Sequence, residues 1–137
     1  MLFPKNQKYK KQFKNKIKET TYRGNKILYG EIALKAVNET RLTLQQLEAS
    51  KRTIIKKMRR VGFIWTRIFP DVPVTTKPNE VRMGKGKGAV NFWVAKVLKG
   101  QIIFEISGLS LIDSIEAFKV GASKLPIKTK IVIKKGL

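Results

Sequence analysis

The hydrophobic period of this 137-residue chain changes from two residues to about 3.6 at Thr43, and no other feature constrains the fold as strongly. Residues 26–37, KILYGEIALKAV, alternate as a half-buried strand does. From Thr43 onward the apolar residues recur at helical spacing, and Gln46 completes a capping box with Thr43. A chain of this length with both periods predicts one α+β domain. The strand face would hold Leu28, Ile32, Leu34 and Ala36.

Two principal helices are predicted to pack on a mostly antiparallel sheet. The first covers residues 43–61 and ends at Gly62, which suits the left-handed position after a helix. The second covers residues 110–125, with a Ser110 cap and Asp113 at its third position. The apolar stripes are Leu44, Leu47, Ile54, Ile55, Met58 and Val61 in the first helix and Leu111, Ile115, Phe118, Ala122 and Leu125 in the second. The residues expected to be buried are Leu47, Ile54, Met58, Ile115, Phe118 and Leu125.

Short blocks rich in β-branched and aromatic residues predict the remaining strands. These blocks are FIWTRIF (63–69), AVNFWVAKVL (89–98), QIIFEI (101–106) and IKTKIVI (127–133). Lys99 and Gly100, between the second and third blocks, have the form of a two-residue hairpin turn. Prolines at positions 70, 73 and 78 predict an irregular connection. Trp65 and Trp93 lie inside strand patterns, which favours packing in or beside the core over base stacking.

The charge of the chain indicates a polyanionic partner. Thirty Lys and Arg against nine Asp and Glu give a net charge of +21, whereas a small soluble domain needs only about 2–8 charges. Repulsion on this scale destabilises the compact state unless a polyanion neutralises it, and nucleic acid is the leading candidate. A membrane surface is the rival, but the sequence has neither an apolar run of about 18 residues nor a helix with a broad aromatic face. We therefore expect no membrane binding.

Composition also argues against catalysis and metal binding. The chain has no cysteine and no histidine, which removes thiolate chemistry, the usual zinc clusters and the commonest general base. A phosphate-binding nucleotide loop has the pattern GxxxxGK followed by Ser or Thr, whereas the glycines of VRMGKGKGAV have another spacing. They also precede a strand, whereas a dinucleotide fingerprint precedes a helix. We expect no enzymatic activity, no cofactor and no metal site.

Three cationic segments are candidates for phosphate contact. The first is a basic arm, residues 1–25, which precedes the α+β domain of residues 26–137 and interleaves lysines with aromatic rings. The second is the face of the first helix opposite its apolar stripe, where KRTIIKKMRR contains no acid to pair with the cations. The third is the glycine–lysine loop. The candidate residues are Lys8, Lys10, Lys11 and Lys14 in the arm, Arg52, Lys56, Arg59 and Arg60 on the helix, and Arg82, Gly84, Lys85, Gly86, Lys87 and Gly88 in the loop.

Each segment also has a structural interpretation without a ligand. The arm can be a frayed terminus, the helix face an ordinary solvated surface and the loop a flexible turn. Phosphate contact is favoured because glycines let RNA approach the backbone closely and the nearby cations neutralise its charge. On this view RNA, rather than the protein's own core, orders the arm and the loop, and the loop cations have no apolar partner.

Several blocks resemble, in order, the bacterial-type large ribosomal subunit protein L-sixteen family. They are RLTLQQLEASKR, IWTRIFPDVPVTTKPNEVRMGKGKG, FWVAKV, FEISG and KLPIKTKIV, and the opening MLFPK is similar as well. The resemblance covers nearly the whole chain. Residues 82–88 match the loop motif of the family residue by residue.

The resemblance implies a structural protein that binds large-subunit rRNA near the base of the central protuberance, beside the aminoacyl-tRNA site (A site). It implies A-site tRNA and neighbouring ribosomal proteins as partners, a role late in subunit assembly, and a loop that points towards the peptidyl-transferase region. It implies neither catalysis nor homo-oligomerisation. Arg82 corresponds to an arginine that some bacterial members hydroxylate.

The chain departs from the bacterial pattern in three places. Its arm is rich in lysine and asparagine, Ala89 stands where the family usually has Asn, and YRGNKI is closer to organellar members. Lysine is a point charge, which weakens the case for bidentate phosphate contacts in the arm. The bias towards Lys, Ile and Asn, with no import extension, indicates a mitochondrial ribosome and an organelle-encoded protein; plastid and bacterial origins stay open. The alternative function is a free-standing basic nucleic-acid-binding module of the nucleoid or RNA-chaperone kind.

Overall fold

The computed structural model describes residues 3–17 and 20–134, so parts of the predicted arm and the last three residues lie outside the described residues. In the described residues, four consecutive strands separate the two helices, and further strands precede the first helix and follow the second. The elements are β1 (Ile32–Ala36), β2 (Thr40–Thr43), α1 (Leu44–Lys57), β3 (Phe63–Thr66), β4 (Val72–Thr76), β5 (Ala89–Val97), β6 (Ile102–Ser107), α2 (Leu111–Ala122) and β7 (Thr129–Ile133).

The strands form two antiparallel sheets, which confirms the predicted α+β class. The first sheet has the strand order β3-β6-β1-β7 and the second has the order β2-β5-β4. In the first sheet, Leu34 of β1 lies opposite Phe104 of β6 on one side and Ile131 of β7 on the other. These side chains belong to the same apolar cluster as Ile54 of α1 and Phe118 of α2. Helix α2 packs on this face of the first sheet, against β1 and β7, whereas α1 packs against α2 and against β2 and β5 of the second sheet.

Both predicted helix starts are confirmed. At α1 the Thr43 N–H donates to Gln46 Oε1 at 3.0 Å, and the Gln46 N–H donates to Thr43 Oγ1 at 3.3 Å. The capping box is therefore closed in both directions. At α2 the Asp113 N–H donates to Ser110 Oγ at 3.2 Å. These caps satisfy N–H groups that have no acceptor inside the helix.

The first helix ends earlier than predicted, which moves part of the predicted cationic face off the helix. Arg59 and Arg60 lie beyond the end of α1 and take φ values of 53° and 64°, in the left-handed region. Val61 is exposed and does not join the apolar stripe. The cause is a close contact further along the chain: a Cβ on Gly62 would lie 2.5 Å from the Ser107 carbonyl oxygen. The chain leaves the helical path before Gly62 because that residue must reach β6.

Most predicted core positions are confirmed, namely Leu47, Ile54, Met58, Phe118 and Leu125. Ile115 is only partly buried. Leu28 and Leu111 are exposed, which is contrary to the prediction that they join apolar faces. Leu28 lies before β1, in a segment that crosses the sheet instead of extending its strand. Leu111 lies in the first turn of α2, beyond the edge of the packed stripe. The second helix ends at Ala122, three residues before the predicted end at residue 125.

The hairpin predicted at Lys99 and Gly100 is wrong. Gly100 has a φ of 87°, as a tight turn requires, but β5 pairs with β2 and β4 while β6 pairs with β1 and β3. The turn carries the chain from one sheet to the other. Distant segments hold it there: the Gly100 N–H donates to the Ala36 carbonyl at 2.9 Å, and the Thr21 N–H donates to the Lys99 carbonyl at 3.0 Å.

Strand β4 occupies part of the region that the prolines marked as irregular. Pro73 is buried inside this strand and lies opposite Trp93 of β5. A proline lacks the N–H that a central strand needs, but β4 is at the edge of its sheet and tolerates this loss. Strand β2 was not predicted either, because four residues are too few to show a clear alternation.

Glu105 of β6 is a fully buried carboxylate beneath the segment that precedes β1. It accepts hydrogen bonds from the backbone N–H groups of Leu28, Tyr29 and Gly30 at 3.3, 2.7 and 2.8 Å, and from the Arg67 guanidinium. Burial raises the pKa of this carboxyl, but the hydrogen bonds from Gly30, Tyr29, Leu28 and Arg67 together leave the pKa below its ordinary value. The charged carboxylate thus fastens the crossing segment to the sheet.

Replacing Gly121 by alanine should destabilise the fold, although alanine favours helices more than glycine does. A Cβ on Gly121 would lie 2.3 Å from Ile54 Cγ1, where the two helices meet. Overpacking of this kind typically costs about 1–3 kcal/mol. Denaturant unfolding of Gly121→Ala, Ile54→Ala and the double variant measures the effect. The double variant should lose less than the sum of the two single losses; additive losses would show that the helices do not meet here.

The Glu105→Gln variant should lose about 3–5 kcal/mol of stability, because Arg67 would keep its charge without a partner. The depressed pKa means that the unfolded state binds this proton more tightly than the folded state. The stabilisation is therefore complete above the ordinary pKa of 4.5 and is lost as the pH falls below it. The difference in unfolding free energy between wild type and variant should shrink as the pH falls below the ordinary pKa of 4.5 and through the lowered pKa of the folded state. A difference independent of pH would contradict this account.

The matched control is Glu116→Gln. Its exposed ion pair with Lys57 has an N–O distance of 2.9 Å, so its loss should cost less than about 1 kcal/mol.

Candidate nucleic-acid interface

The described part of the arm lies along the second sheet. The Gln7 side chain donates to the Asp71 carbonyl at 3.3 Å, just before β4. The Arg41 side chain, on β2, donates to the Asn15 carbonyl. The body of the protein therefore contacts the arm through exposed hydrogen bonds, and ordering of the arm by RNA stays a prediction.

The arm and the glycine–lysine loop contact each other directly. Lys11 Nζ donates to the Lys87 carbonyl at 2.8 Å, and Lys87 Nζ donates to the Gln12 carbonyl. Lys87 Nζ also lies 5.7 Å from the centre of the Phe13 ring. Lys87 therefore has an aromatic partner, contrary to the expectation that the loop cations have none. The two segments form one surface, which we call the arm–loop surface and define as residues 8–14 and 82–88.

The tip of the loop extends into solvent. Gly84, Lys85 and Gly86 have φ values of 109°, 56° and 78°, so three consecutive residues lie in the left-handed region. A Cβ on Gly84 or Gly86 would have no heavy atom within 4 Å. Arg82 and Lys85 are exposed, and Lys77 steadies the base of the loop by donating to the Gly84 carbonyl. A phosphate or sugar can therefore approach the backbone here without displacing protein atoms.

Gly88 belongs to the body of the protein, although it lies in the same motif. A Cβ on Gly88 would lie 2.3 Å from the Thr76 carbonyl oxygen, where β4 and β5 pair. Its lack of a side chain is therefore explained by strand packing. Of the loop glycines predicted to meet RNA, only Gly84 and Gly86 are open on all sides.

Four cations line a cavity of about 160 Å³ between the arm, the loop and the second sheet. They are Lys14, Arg41, Lys87 and Lys96, and we call this site the cationic trough. Arg41 of β2 lies directly opposite Lys96 of β5, although like charges in this position destabilise a sheet. The residues that line the trough include no carboxylate. A bound anion would remove the repulsion.

Sequence reasoning missed Arg41 and Lys96 as site residues. Each is a single cation in an otherwise unremarkable block, and only the register of β2 against β5 brings them together. The register depends on long-range pairing, so no local signal identifies the pair.

The four cations predicted to share one helical face are divided by the end of α1. Arg52 and Lys56 are exposed on the helix, while Arg59 and Arg60 lie in the turn that follows. Arg52 Nη2 is 3.8 Å from a carboxylate oxygen of Glu48, so this face is not free of acids. That pair is exposed and long, and it neutralises little. Lys56 and Arg59 line a groove of about 710 Å³ between the helices.

Most cations of the described residues have no carboxylate partner. Within residues 3–17 and 20–134 the ion pairs are Arg52–Glu48, Lys57–Glu116 and Arg67–Glu105. The arm residues Lys8 and Lys10 are exposed, and Lys8 Nζ lies 5.7 Å from the centre of the Tyr9 ring. Positive charge is therefore concentrated on surfaces that the protein itself leaves uncompensated.

No group of three or more His, Cys, Asp or Glu side chains in the described ranges is placed to hold a metal ion. Among the helices that the structure describes, none is long and apolar enough to cross a membrane.

Gly88→Ala should lower the melting temperature more than Gly86→Ala does. The first substitution forces a Cβ against the backbone oxygen of Thr76, and no side-chain rotation relieves that clash. The second adds a methyl group in open space and meets no atom, so its cost is limited to the backbone strain of a φ of 78°. Calorimetry should show a decrease of several degrees for Gly88→Ala, corresponding to about 1–3 kcal/mol. Equal shifts would contradict the division of the loop into a tip and a packed base.

Comparison with known proteins identifies the family. The model of the family described as "Ribosomal protein L16p/L10e" matches residues 4–132. Proteins named "Large ribosomal subunit protein uL16" are similar over 132 residues: that of Caulobacter vibrioides is 52% identical, with 96% of this chain and 92% of the relative covered. Those of Thioalkalivibrio sulfidiphilus and Sinorhizobium medicae are 52% and 49% identical, with 96% of both chains covered. The chain belongs to the ribosomal protein L16p/L10e family.

Proposed function

We propose that this protein is a structural constituent of the large ribosomal subunit and binds large-subunit rRNA through the arm–loop surface. The observation that carries the proposal is the cationic trough, where Arg41 and Lys96 face each other across a strand pair with no acid among the lining residues. Family membership supports the ribosomal setting. A backbone phosphate in the trough would neutralise cations that otherwise repel one another.

The geometry of this surface suggests different roles for the arm and trough on one side and for the loop tip on the other. The arm and the trough are supported by the second sheet, so they suit phosphate contacts that fix the protein on RNA. The tip, with the exposed Arg82 and Lys85, is held by the hydrogen bond from Lys77 to the Gly84 carbonyl and is otherwise open to solvent. On this proposal the tip reaches the region where rRNA and A-site tRNA come together. Gly84 and Gly86 admit RNA backbone at the closest approach.

The role we propose is structural, with no catalytic step. The protein would support translation and late subunit assembly, with neighbouring ribosomal proteins as further partners. The setting we propose is the mitochondrial ribosome, on the ground of the Lys, Ile and Asn bias of the sequence. The relatives named above are bacterial, so a bacterial ribosome is the alternative setting.

A free-standing nucleic-acid-binding module is the alternative function, because a net charge of +21 suits any RNA. Sedimentation separates the two. A ribosomal constituent follows the large subunit through a gradient of native lysate at high and low magnesium. A nucleoid protein or RNA chaperone stays with other nucleic acid or at the top of the gradient.

Replacing both Arg82 and Lys85 by alanine should leave folding and subunit occupancy normal but weaken A-site tRNA binding or delay subunit maturation. Both side chains lie on the exposed tip, so their loss removes phosphate contacts without opening the core. The measurements are protein occupancy in purified ribosomes, A-site tRNA binding and the rate of subunit maturation. Normal values for all three would show that the tip is a passive turn.

The matched variant replaces Arg52 and Lys56, two exposed cations on α1. If α1 contacts rRNA phosphates, this variant should weaken rRNA attachment generally, with each lost contact lowering the log–log salt slope by about 0.7–0.9. In the Arg52 and Lys56 variant, A-site tRNA binding should fall only as far as the occupancy of the protein in the subunit falls. In the tip variant, A-site tRNA binding should fall although occupancy stays normal.

A further inference from the structure

Three aromatic side chains, two exposed and one half-buried, form a row on the face of the first sheet that points away from the core. The row consists of Tyr29, Phe63 and Trp65. The Tyr29 and Trp65 rings are stacked with centres 6.2 Å apart and planes 24° apart, and the Phe63 ring centre is 6.1 Å from that of Trp65. Tyr29 is 61% exposed and Phe63 is 68% exposed. We call these three residues the aromatic row.

The position of the row on the outer face follows from the strand register. Trp65 of β3 lies opposite Glu105 of β6. The neighbours of Glu105 along β6 are Phe104 and Ile106, which belong to the core beneath the helices. Because side chains alternate along a strand, Glu105 and Trp65 point to the opposite side. Trp65 is therefore half-buried outside the core cluster, so of the two predicted positions, in or beside the core, it occupies the second.

The row is held in place by buried interactions. The Tyr29 N–H donates to Glu105 at 2.7 Å, and the Arg67 guanidinium bonded to the same carboxylate lies 5.2 Å from the centre of the Tyr29 ring. Gly30 lets the segment lie close to the sheet, because a Cβ at this position would be 2.7 Å from the Ile106 carbonyl oxygen. A buried ion pair thus fixes the backbone that carries an exposed ring. Such pre-organisation reduces the entropy lost when a ligand binds.

The cations that neighbour the row along the chain favour RNA as the occupant over a protein. Arg67 contacts the Tyr29 ring, with its charge shared with Glu105. Lys26 and Arg60 are exposed and lie three residues before Tyr29 and Phe63 in the sequence. Lys134 is exposed as well, and its backbone N–H donates to the Glu31 carbonyl at 2.8 Å, two residues from Tyr29. Flat rings among cations are the combination by which proteins hold unpaired nucleotides, with stacking for the base and positive charge for the phosphate.

We propose that the aromatic row is a stacking platform for one or two unpaired bases of RNA. This inference rests on the proposed function as an RNA-binding protein. The platform lies on the first sheet, whereas the arm–loop surface lies against the second, so it adds a contact of a different chemical kind. The platform would not discriminate between RNA sequences, because every base has a face that can stack on an aromatic ring. It requires instead that the RNA be unpaired at this point.

Binding of a single-stranded oligomer to the purified full-length protein tests the platform. In a Trp93→Phe background Trp65 is the sole tryptophan, and stacking of a base on the row should quench its fluorescence. The two probes are an oligoadenylate and an abasic oligomer of the same length and charge. Oligoadenylate should quench Trp65 and bind about fivefold more tightly or better, which is the ratio that one stacked base supplies.

Two substitutions at Tyr29 separate stacking from apolar contact. Tyr29→Phe keeps the ring and should keep the preference for oligoadenylate over the abasic oligomer. Tyr29→Leu keeps an apolar side chain but removes the ring, and it should abolish most of that preference. Both leave the Tyr29 N–H that holds Glu105, so the fold should be retained. The salt dependence of binding should be the same for both variants, because no phosphate contact is lost.

The outcomes distinguish this proposal from the proposed function. Equal binding of both oligomers without quenching would overturn the platform and leave phosphate-based RNA binding intact. Absence of binding by either oligomer at low salt would overturn both. In assembled large subunits, a photo-crosslinking residue at position 63 should form its crosslink with rRNA. A crosslink to a ribosomal protein would assign the row to a protein interface and overturn the proposal.

Discussion

The buried carboxylate of Glu105 holds the segment that crosses the outer face of the first sheet against that sheet. It joins three parts of the chain that are distant in sequence: β6 itself, the segment of residues 28–30 and Arg67 beyond β3. An apolar residue at this position would leave three N–H groups and a guanidinium without an acceptor, which a buried site does not tolerate. The hydrogen bonds lower the pKa against the effect of burial, so the site is built for the charged form. One ion pair therefore supports both the fold and the exposed rings above it.

In the second sheet, by contrast with the paired charges of Glu105 and Arg67, neighbouring cations have no carboxylate among them. Arg41 and Lys96 are neighbours across β2 and β5, and Lys14 and Lys87 approach from the arm and the loop. Electrostatic repulsion here opposes the folded state, and the protein tolerates it because the backbone pairing of the sheet and the Lys11–Lys87 hydrogen bond hold the groups together. On the proposed function, a polyanion bound in the trough would relieve this repulsion. Binding would then stabilise the folded state of this region.

Sequence patterns were sufficient where the determining contacts are local and insufficient where they are distant. The starts of both helices were predicted because Thr43 and Ser110 bond to residues three positions away. The hairpin failed because the partners of β5 and β6 lie elsewhere in the chain, and neither Lys99 nor Gly100 carries that information. For the same reason the loop and arm were recognised as cationic segments, while their mutual contact and the trough were not. Trp65 was assigned to the core or its rim because alternation shows that two faces differ and does not show which face is covered.

The glycine–lysine motif is continuous in the sequence, but in the structure it is divided into an open tip and a base that packs against the strands. Gly88 can carry no side chain because β4 and β5 close against it, whereas Gly84 and Gly86 have open space around them. Substitution at the first position therefore acts through folding, and substitution at the other two acts through the shape and accessibility of the tip. Lys87 lies at the boundary, bonded to the arm on one side and lining the trough on the other. If RNA occupies the trough, as we propose, it would also restrain the residue from which the tip extends. Phosphate binding and the orientation of Arg82 and Lys85 would then be coupled through Lys87.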